Sequence, residues 1–152
     1  MAKTEVTAEA VQKLREATGA GVMDCRKALI EANGDFDAAK KVIQEKGLVK
    51  VEKRAGRTTG AGFIHSYVHN ERIGVLLDLR AETDFVVRSE PFRKLAHELA
   101  MQISATAPKD VAELFAQPYI RDESKTVKDL VNELIAKVGE NISVNQFYRA
   151  EV

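Results

Sequence analysis

Ile73 to Ala81 leaves this chain little freedom. Ile73, Val75, Leu77, Leu79 and Ala81 fall on one face of an extended segment, and Gly74, Leu76, Asp78 and Arg80 fall on the other. A strand with one apolar face needs a cover for that face. Phe63 to His69 alternates more loosely, and His69-Asn70-Glu71-Arg72 reads as a turn, so the two runs form a β-hairpin. The cover follows in the sequence. Phe92, Leu95, Ala96, Leu99 and Ile103 recur at the spacing of one helical face, with Ser89 as cap and Glu90 and Pro91 in the first turn. The residues between strand and helix, Ala81-Glu82-Thr83-Asp84-Phe85-Val86-Val87-Arg88, must therefore connect two rigid elements. Asp84 marks the end of pairing, because Asp is depleted in strands and favours turns. Taken locally, Phe85 reads as core filler, since apolar residues are most often buried. The alternative is an exposed wedge with an acid beside it.

The rest of the chain divides around this unit. Residues 1–47 read as three short helices. Thr7 caps the first, with Val11 and Leu14 on one face. Thr18-Gly19-Ala20-Gly21 breaks it, and the second helix follows with Val22, Cys25, Leu29 and Ile30 as its apolar positions. Asn33-Gly34 ends that helix. Asp35 caps the third, which buries Phe36, Ala39, Val42 and Ile43 and stops at Gly47. Each is too short to be stable alone, so they must pack together. Val22 and Met23 beside the glycine turn are either exposed contacts or part of that small core. Residues 48–61 read as a linker. Seven basic residues stand between Lys40 and Arg57 against two acids, which reads as a solvated helix end rather than a phosphate site.

Residues 62–152 form the second domain. After the hairpin and the long helix, Asp110 to Ala116 is a short helix and Gln117-Pro118-Tyr119-Ile120 a loop. Thr126 and Asp129 form a capping-box-like pair opening a helix lined by Val127, Leu130, Val131, Leu134, Ile135 and Val138. Asn141 to Val152 is a last strand with Ile142, Val144, Tyr148, Ala150 and Val152 alternating. The expected fold class is α+β, a three-helix module followed by antiparallel strands covered by helices in the order β-β-α-α-β.

No enzymatic constellation accompanies this frame. A lone cysteine, Cys25, forms no intrachain disulfide and no metal cluster, and its place on an apolar helix face predicts burial. His65, His69 and His97 lack the further ligands of a zinc site. There is no nucleophile elbow and no phosphate loop. No cofactor or metal is expected. The net charge of zero advertises neither nucleic acid nor membrane. With no leader pattern and no long apolar run, a cytoplasmic location is expected.

Two stretches read together add a resemblance. Leu14 to Leu29, followed by Glu31-Ala32-Asn33-Gly34-Asp35, resembles the amino-terminal signature of the bacterial elongation factor Ts family. Glu82-Thr83-Asp84-Phe85-Val86 resembles its second signature, and Gly139-Glu140-Asn141-Ile142 the start of its final strand. The resemblance implies a guanine-nucleotide exchange factor acting on elongation factor Tu, in GDP-bound and nucleotide-free forms. It implies that the three helices are of the ubiquitin-associated type. Leu14, Gly19, Ala20, Gly21, Val22 and Met23 would touch the partner. Thr83, Asp84, Phe85 and Val86 would enter it near the nucleotide, Phe85 as wedge and Asp84 disturbing the magnesium. Many members carry a second core subdomain; the residues after this linker suffice for one, so a homodimer is expected to restore the pair. The resemblance thus reverses the local reading of Phe85. Two alternatives stand beside it, an interaction module for another partner and a small enzyme using Asp84 with a histidine.

Overall fold

A computed structural model describes residues 5–152; residues 1–4, the opening of the expected module, lie outside the described residues. The chain falls into two compact units, one ending at Glu52 and the other beginning at Lys53.

The first unit holds α1 (Ala8–Thr18), α2 (Val22–Glu31) and the start of α3 (Phe36–Arg54). Thr7 caps α1 by accepting the Ala10 N–H at 3.1 Å. Val11, Leu14, Cys25, Ala28, Leu29 and Ala39 form the core, with Val42 and Ile43 packed partly against it. Cys25 is buried, as its helix face predicts. Ile30, expected to share the inward face of α2, is exposed, and so is Phe36. A core this small admits one stripe per helix, and Ala28 takes the inward place instead.

Gly47 does not end α3. The helix runs on to Arg54, through the first residues of the expected 48–61 linker. A helical glycine costs only about 1 kcal/mol relative to alanine. Two surface ion pairs, Lys46 to Glu31 at 2.9 Å and Lys50 to Asp24 at 3.3 Å, lie against α2 on either side of it. Lys53 and Arg54 sit in the last turn, where the helix dipole favours cations.

The second unit is α+β. β1 (Ala61–His69) and β2 (Ile73–Ala81) pair as the expected hairpin, and β5 (Ile142–Glu151) adds to the far side of β2, giving an antiparallel sheet in the order β1-β2-β5. α4 (Asp84–Val87), α5 (Glu90–Thr106), α6 (Val111–Ala116) and α7 (Val127–Val138) lie between β2 and β5 in the chain. Val75, Leu77 and Leu79 of β2, Phe92, Leu99 and Ile103 of α5 and Val127, Val131 and Ile135 of α7 are all buried, with α5 packed on β1, β2 and α7. The Thr126–Asp129 capping box is present.

Three details differ from expectation. Pro118–Tyr119 is not loop but β3, paired with β4 (Asp122–Thr126) in a small hairpin. Side chains of α5 hold it: Glu98 accepts the Tyr119 hydroxyl proton, and Gln102 donates to Pro118 O at 3.1 Å and accepts from Ile120 N at 3.0 Å. Second, β5 slips register between its pairings with Asp78 and Leu79, leaving Asn145 as an extra residue. A bulge inverts the alternation beyond it. Phe147 and Arg149 therefore turn to the covered face, Arg149 donating to Ser104 O of α5, while Tyr148, Ala150 and Val152 are exposed. Third, Ser89 stands at the N-cap of α5 without capping it; its hydroxyl donates back to Val86 O at 2.6 Å.

On the other face of the sheet Asp78 is buried beneath Arg80 and Asn145, but apolar side chains are left exposed beside it. Ile64 and Val68 on β1, Leu76 on β2 and Tyr148 on β5 are all exposed there. The register aligns Ser66, Leu76 and Tyr148 in one row across the three strands, with Ile64 and Val68 two residues to either side of Ser66 on β1.

Candidate functional site

The connection after β2 is a capped helical turn. Ala81 is buried at the strand end, and Thr83, still extended (φ −130°, ψ 152°), is the N-cap from which α4 begins. Its hydroxyl oxygen accepts the Val86 N–H at 3.4 Å, the position of an N-cap. Asp84 occupies the first turn, where a carboxylate suits the helix dipole. Within one turn, neighbours two apart face opposite ways. Val86 and Val87 point inward and are buried; Asp84 and Phe85 point outward.

Phe85 is 86% exposed. The core-filler reading is excluded for this residue, because the turn has already committed Val86 and Val87 to the core. The Asp84 carboxylate is exposed and engages no hydrogen bond or ion pair among the described residues. Both ends of the turn are held. At its C-terminal end Ser89 Oγ donates to Val86 O, and Arg93 Nε donates to Val87 O at 2.9 Å. At its N-terminal end the Glu140 carboxylate accepts from Thr83 N at 2.9 Å and from Thr83 Oγ1 at 2.7 Å. Next to it, Glu82 accepts from Asn141 N at 2.7 Å and lies 3.7 Å from the Arg57 guanidinium. Glu82, Glu140 and Asn141 stand in two of the motifs that carry the resemblance, but nothing in the sequence signals their bonds to one another or the contact of Arg57 with Glu82.

The second group of expected residues lies in the first unit. Gly19 ends α1 with a left-handed φ of 70°, and Gly21 precedes α2 as its N-cap. The turn between them is pinned from inside. Thr18 Oγ1 donates to Leu14 O at 2.7 Å and accepts from Ala20 N at 3.3 Å, while the Cys25 thiol lies 3.7 Å from Ala20 O. Val22 and Met23 are 48% and 58% exposed. Leu14 is fully buried, which corrects its place among contact residues: it supports the turn from beneath and offers no surface. Ala20 is half-buried against the core.

The histidines form no catalytic group with Asp84. His65 and His97 meet edge to face with ring centroids 5.7 Å apart, and Arg93 stacks on Phe63 beside them at 4.0 Å. Burial, then the charges of His97 and Arg93, hold the His65 imidazole below its usual range. His69 is hydrogen-bonded to the Tyr67 hydroxyl at 2.9 Å. No group of three or more metal-ligating side chains occurs among the described residues. No described helix is long and apolar enough to cross a membrane.

Known proteins resemble the chain over almost its whole length. A family model described as Elongation factor TS matches residues 82–152, from the tip to the end of β5. Proteins named Elongation factor Ts align with it: that of Thermotoga maritima is 43% identical over 97% of this chain and 96% of its own length. That of Coprothermobacter proteolyticus is 40% identical over 95% and 97%, and that of Moorella thermoacetica 40% identical over 97% and 95%. These alignments run over more than 190 positions against 152 residues here, so the relatives carry residues that this chain lacks.

Proposed function

The chain belongs to the elongation factor Ts family of translation elongation factors, and from that premise we propose that it is a guanine-nucleotide exchange factor for elongation factor Tu. It makes and breaks no covalent bond. It releases GDP by inserting Thr83 to Val86 beside the nucleotide site. The observation that carries this reading is Phe85, a large aromatic 86% exposed on a turn fixed at both ends.

An exposed aromatic on a rigid mount suits insertion into a partner, since little ordering is left to be done on binding. Phe85 is the wedge. Asp84, with no side-chain partner among the described residues, brings a negative charge to a site where magnesium bridges nucleotide phosphates and protein. Factor and nucleotide then weaken each other reciprocally. Loosening GDP a thousandfold requires about 4 kcal/mol, and one hot-spot side chain can contribute roughly 2–4 kcal/mol of it. Gly19, Ala20, Gly21, Val22 and Met23 supply affinity by presenting Val22 and Met23 on a second pinned turn.

The exposed apolar side chains on the sheet support self-association. Ile64, Val68, Leu76 and Tyr148 all stand exposed on one face, and larger members of the family have a second core subdomain to pair with the first. A second copy of this chain takes that place, in a two-fold contact that sets the same patch against itself.

The exchange test uses elongation factor Tu loaded with fluorescent GDP, mixed with this chain and excess unlabelled nucleotide. Release must accelerate; an unchanged rate refutes the reading. Light scattering tests the pairing. The parent chain is expected at twice the monomer mass and Leu76→Lys at the monomer mass, and a parent that is monomeric while fully active refutes it.

A further inference from the structure

We infer that Glu140 is a positioning residue for exchange, acting through Thr83 to set the direction in which Phe85 leaves the surface; this rests on the exchange reading above. Two short segments, Glu82-Thr83 and Glu140-Asn141, trade carboxylates. The Glu82 side chain accepts from the backbone N–H of Asn141 at 2.7 Å, and the Glu140 side chain accepts from the backbone N–H of Thr83 at 2.9 Å. The second oxygen of Glu140 accepts a hydrogen bond from the Thr83 hydroxyl at 2.7 Å.

That last bond decides what the hydroxyl can do. Thr83 Oγ1 has one proton, and it is committed to Glu140. Its lone pairs are left to the Val86 N–H, the bond that caps α4. Glu140, Thr83 and Val86 are thus linked in series, and the series ends in the turn that carries Phe85. Glu140 is itself held in place. Gly139 closes α7 with a left-handed φ of 77°. Asn141 is anchored on its other side, its side-chain amide donating to Arg57 O at 3.0 Å and Ala55 O at 3.4 Å.

The two bonds from Thr83 to Glu140 are exposed and that from Asn141 to Glu82 is partly buried, and surface bonds of this kind contribute little to folding. What they fix is an orientation. Without Glu140 the hydroxyl rotates freely, the cap weakens, and the first turn of α4 samples other directions while Val86 and Val87 stay in the core.

Two readouts test this, one of them independent of exchange. In the protein alone, amide hydrogen exchange at Val86 and Val87 is expected to rise at least fivefold in Glu140→Ala, with the Leu99 amide unchanged. In the GDP-release assay, Glu140→Ala is expected to lower the maximal rate about tenfold and to move the half-saturating concentration less than twofold. Glu140→Gln, which keeps one acceptor oxygen, loses less. In a Phe85→Ala background, Glu140→Ala costs no further rate. Unchanged protection at Val86 and Val87 overturns the inference whatever the exchange assay gives. An equal loss in the Phe85→Ala background also overturns it, since the effect would then not pass through the ring. A parent chain without exchange activity, but with the protection change present, refutes the exchange reading and leaves the clasp as a determinant of tip order.

Discussion

Phe85→Ala should separate folding from function. The ring is 86% exposed, so truncating it removes almost no buried surface. Substitutions at such sites change stability by about 0.5 kcal/mol or less. Phe92, on α5, is fully buried against Phe63 of β1, and its truncation should cost roughly 3–5 kcal/mol. Urea unfolding followed by circular dichroism compares the two; the chain has no tryptophan to serve as a fluorescent probe. The exchange effect runs the other way. If the ring supplies about 2–4 kcal/mol in the complex, its loss lowers the maximal release rate roughly 30- to 1,000-fold. A Phe85→Ala protein with parental stability and strongly reduced exchange is the expected result. A stability loss near that of Phe92→Ala would mean that the ring belongs to the core, and a parental exchange rate would remove the wedge.

Other perturbations test the frame that carries the tip. A Cβ on Gly62 would sit 2.7 Å from Leu79 O and 3.3 Å from Arg80 Cα, both backbone, whereas Gly74 has open space. Gly62→Ala should cost about 1–3 kcal/mol and Gly74→Ala should be neutral or stabilise by up to about 1 kcal/mol; urea midpoints moving the same way contradict this. His65 has a buried Nε2 with no hydrogen-bond partner among the described residues, and Phe63 and His97 lie against its ring with the Arg93 charge nearby. Its lowered pKa means that the unfolded chain binds the proton more readily, so stability present above about pH 6.5 falls as the pH drops below it. Unfolding midpoints between pH 7.5 and pH 5 should show this slope, reduced in His65→Phe. The Tyr119 hydroxyl is pushed up to about 12, first by burial and then by Glu98. Its contribution is present below about pH 10 and lost as the pH rises through the folded value, a loss that Tyr119→Phe should lack.

Legibility followed periodicity. β2 and α5 could be read because Val75, Leu77 and Leu79 repeat every second residue and Phe92, Leu95, Ala96 and Leu99 every three or four. The exposure of Phe85 was not readable locally, because four residues are too few to show a helical period. The Thr83 cap was the available clue, and it would have put Val86 and Val87 inward. Gly47 misled because a glycine ends a helix only when the chain can turn there, and α3 continues. The Asn145 bulge leaves no mark in the sequence except that Gln146, a polar residue, stands where the series Ile142, Val144, Tyr148 would place an apolar one, so periodicity puts the far half of β5 on the wrong face. Glu140 was invisible for another reason. Its partner, Thr83, lies 57 residues away, and no local pattern encodes a bond of that span.

The central claim is that this chain and GDP compete through the tip. Its most direct test is the dissociation constant of the chain for elongation factor Tu, measured by titration calorimetry with the partner nucleotide-free and GDP-bound. Linkage predicts weaker binding to the GDP form, by the same factor by which the chain weakens GDP, and a smaller ratio for Phe85→Ala. Equal affinity for the two forms would contradict the account, because a factor that does not discriminate between them cannot displace the nucleotide.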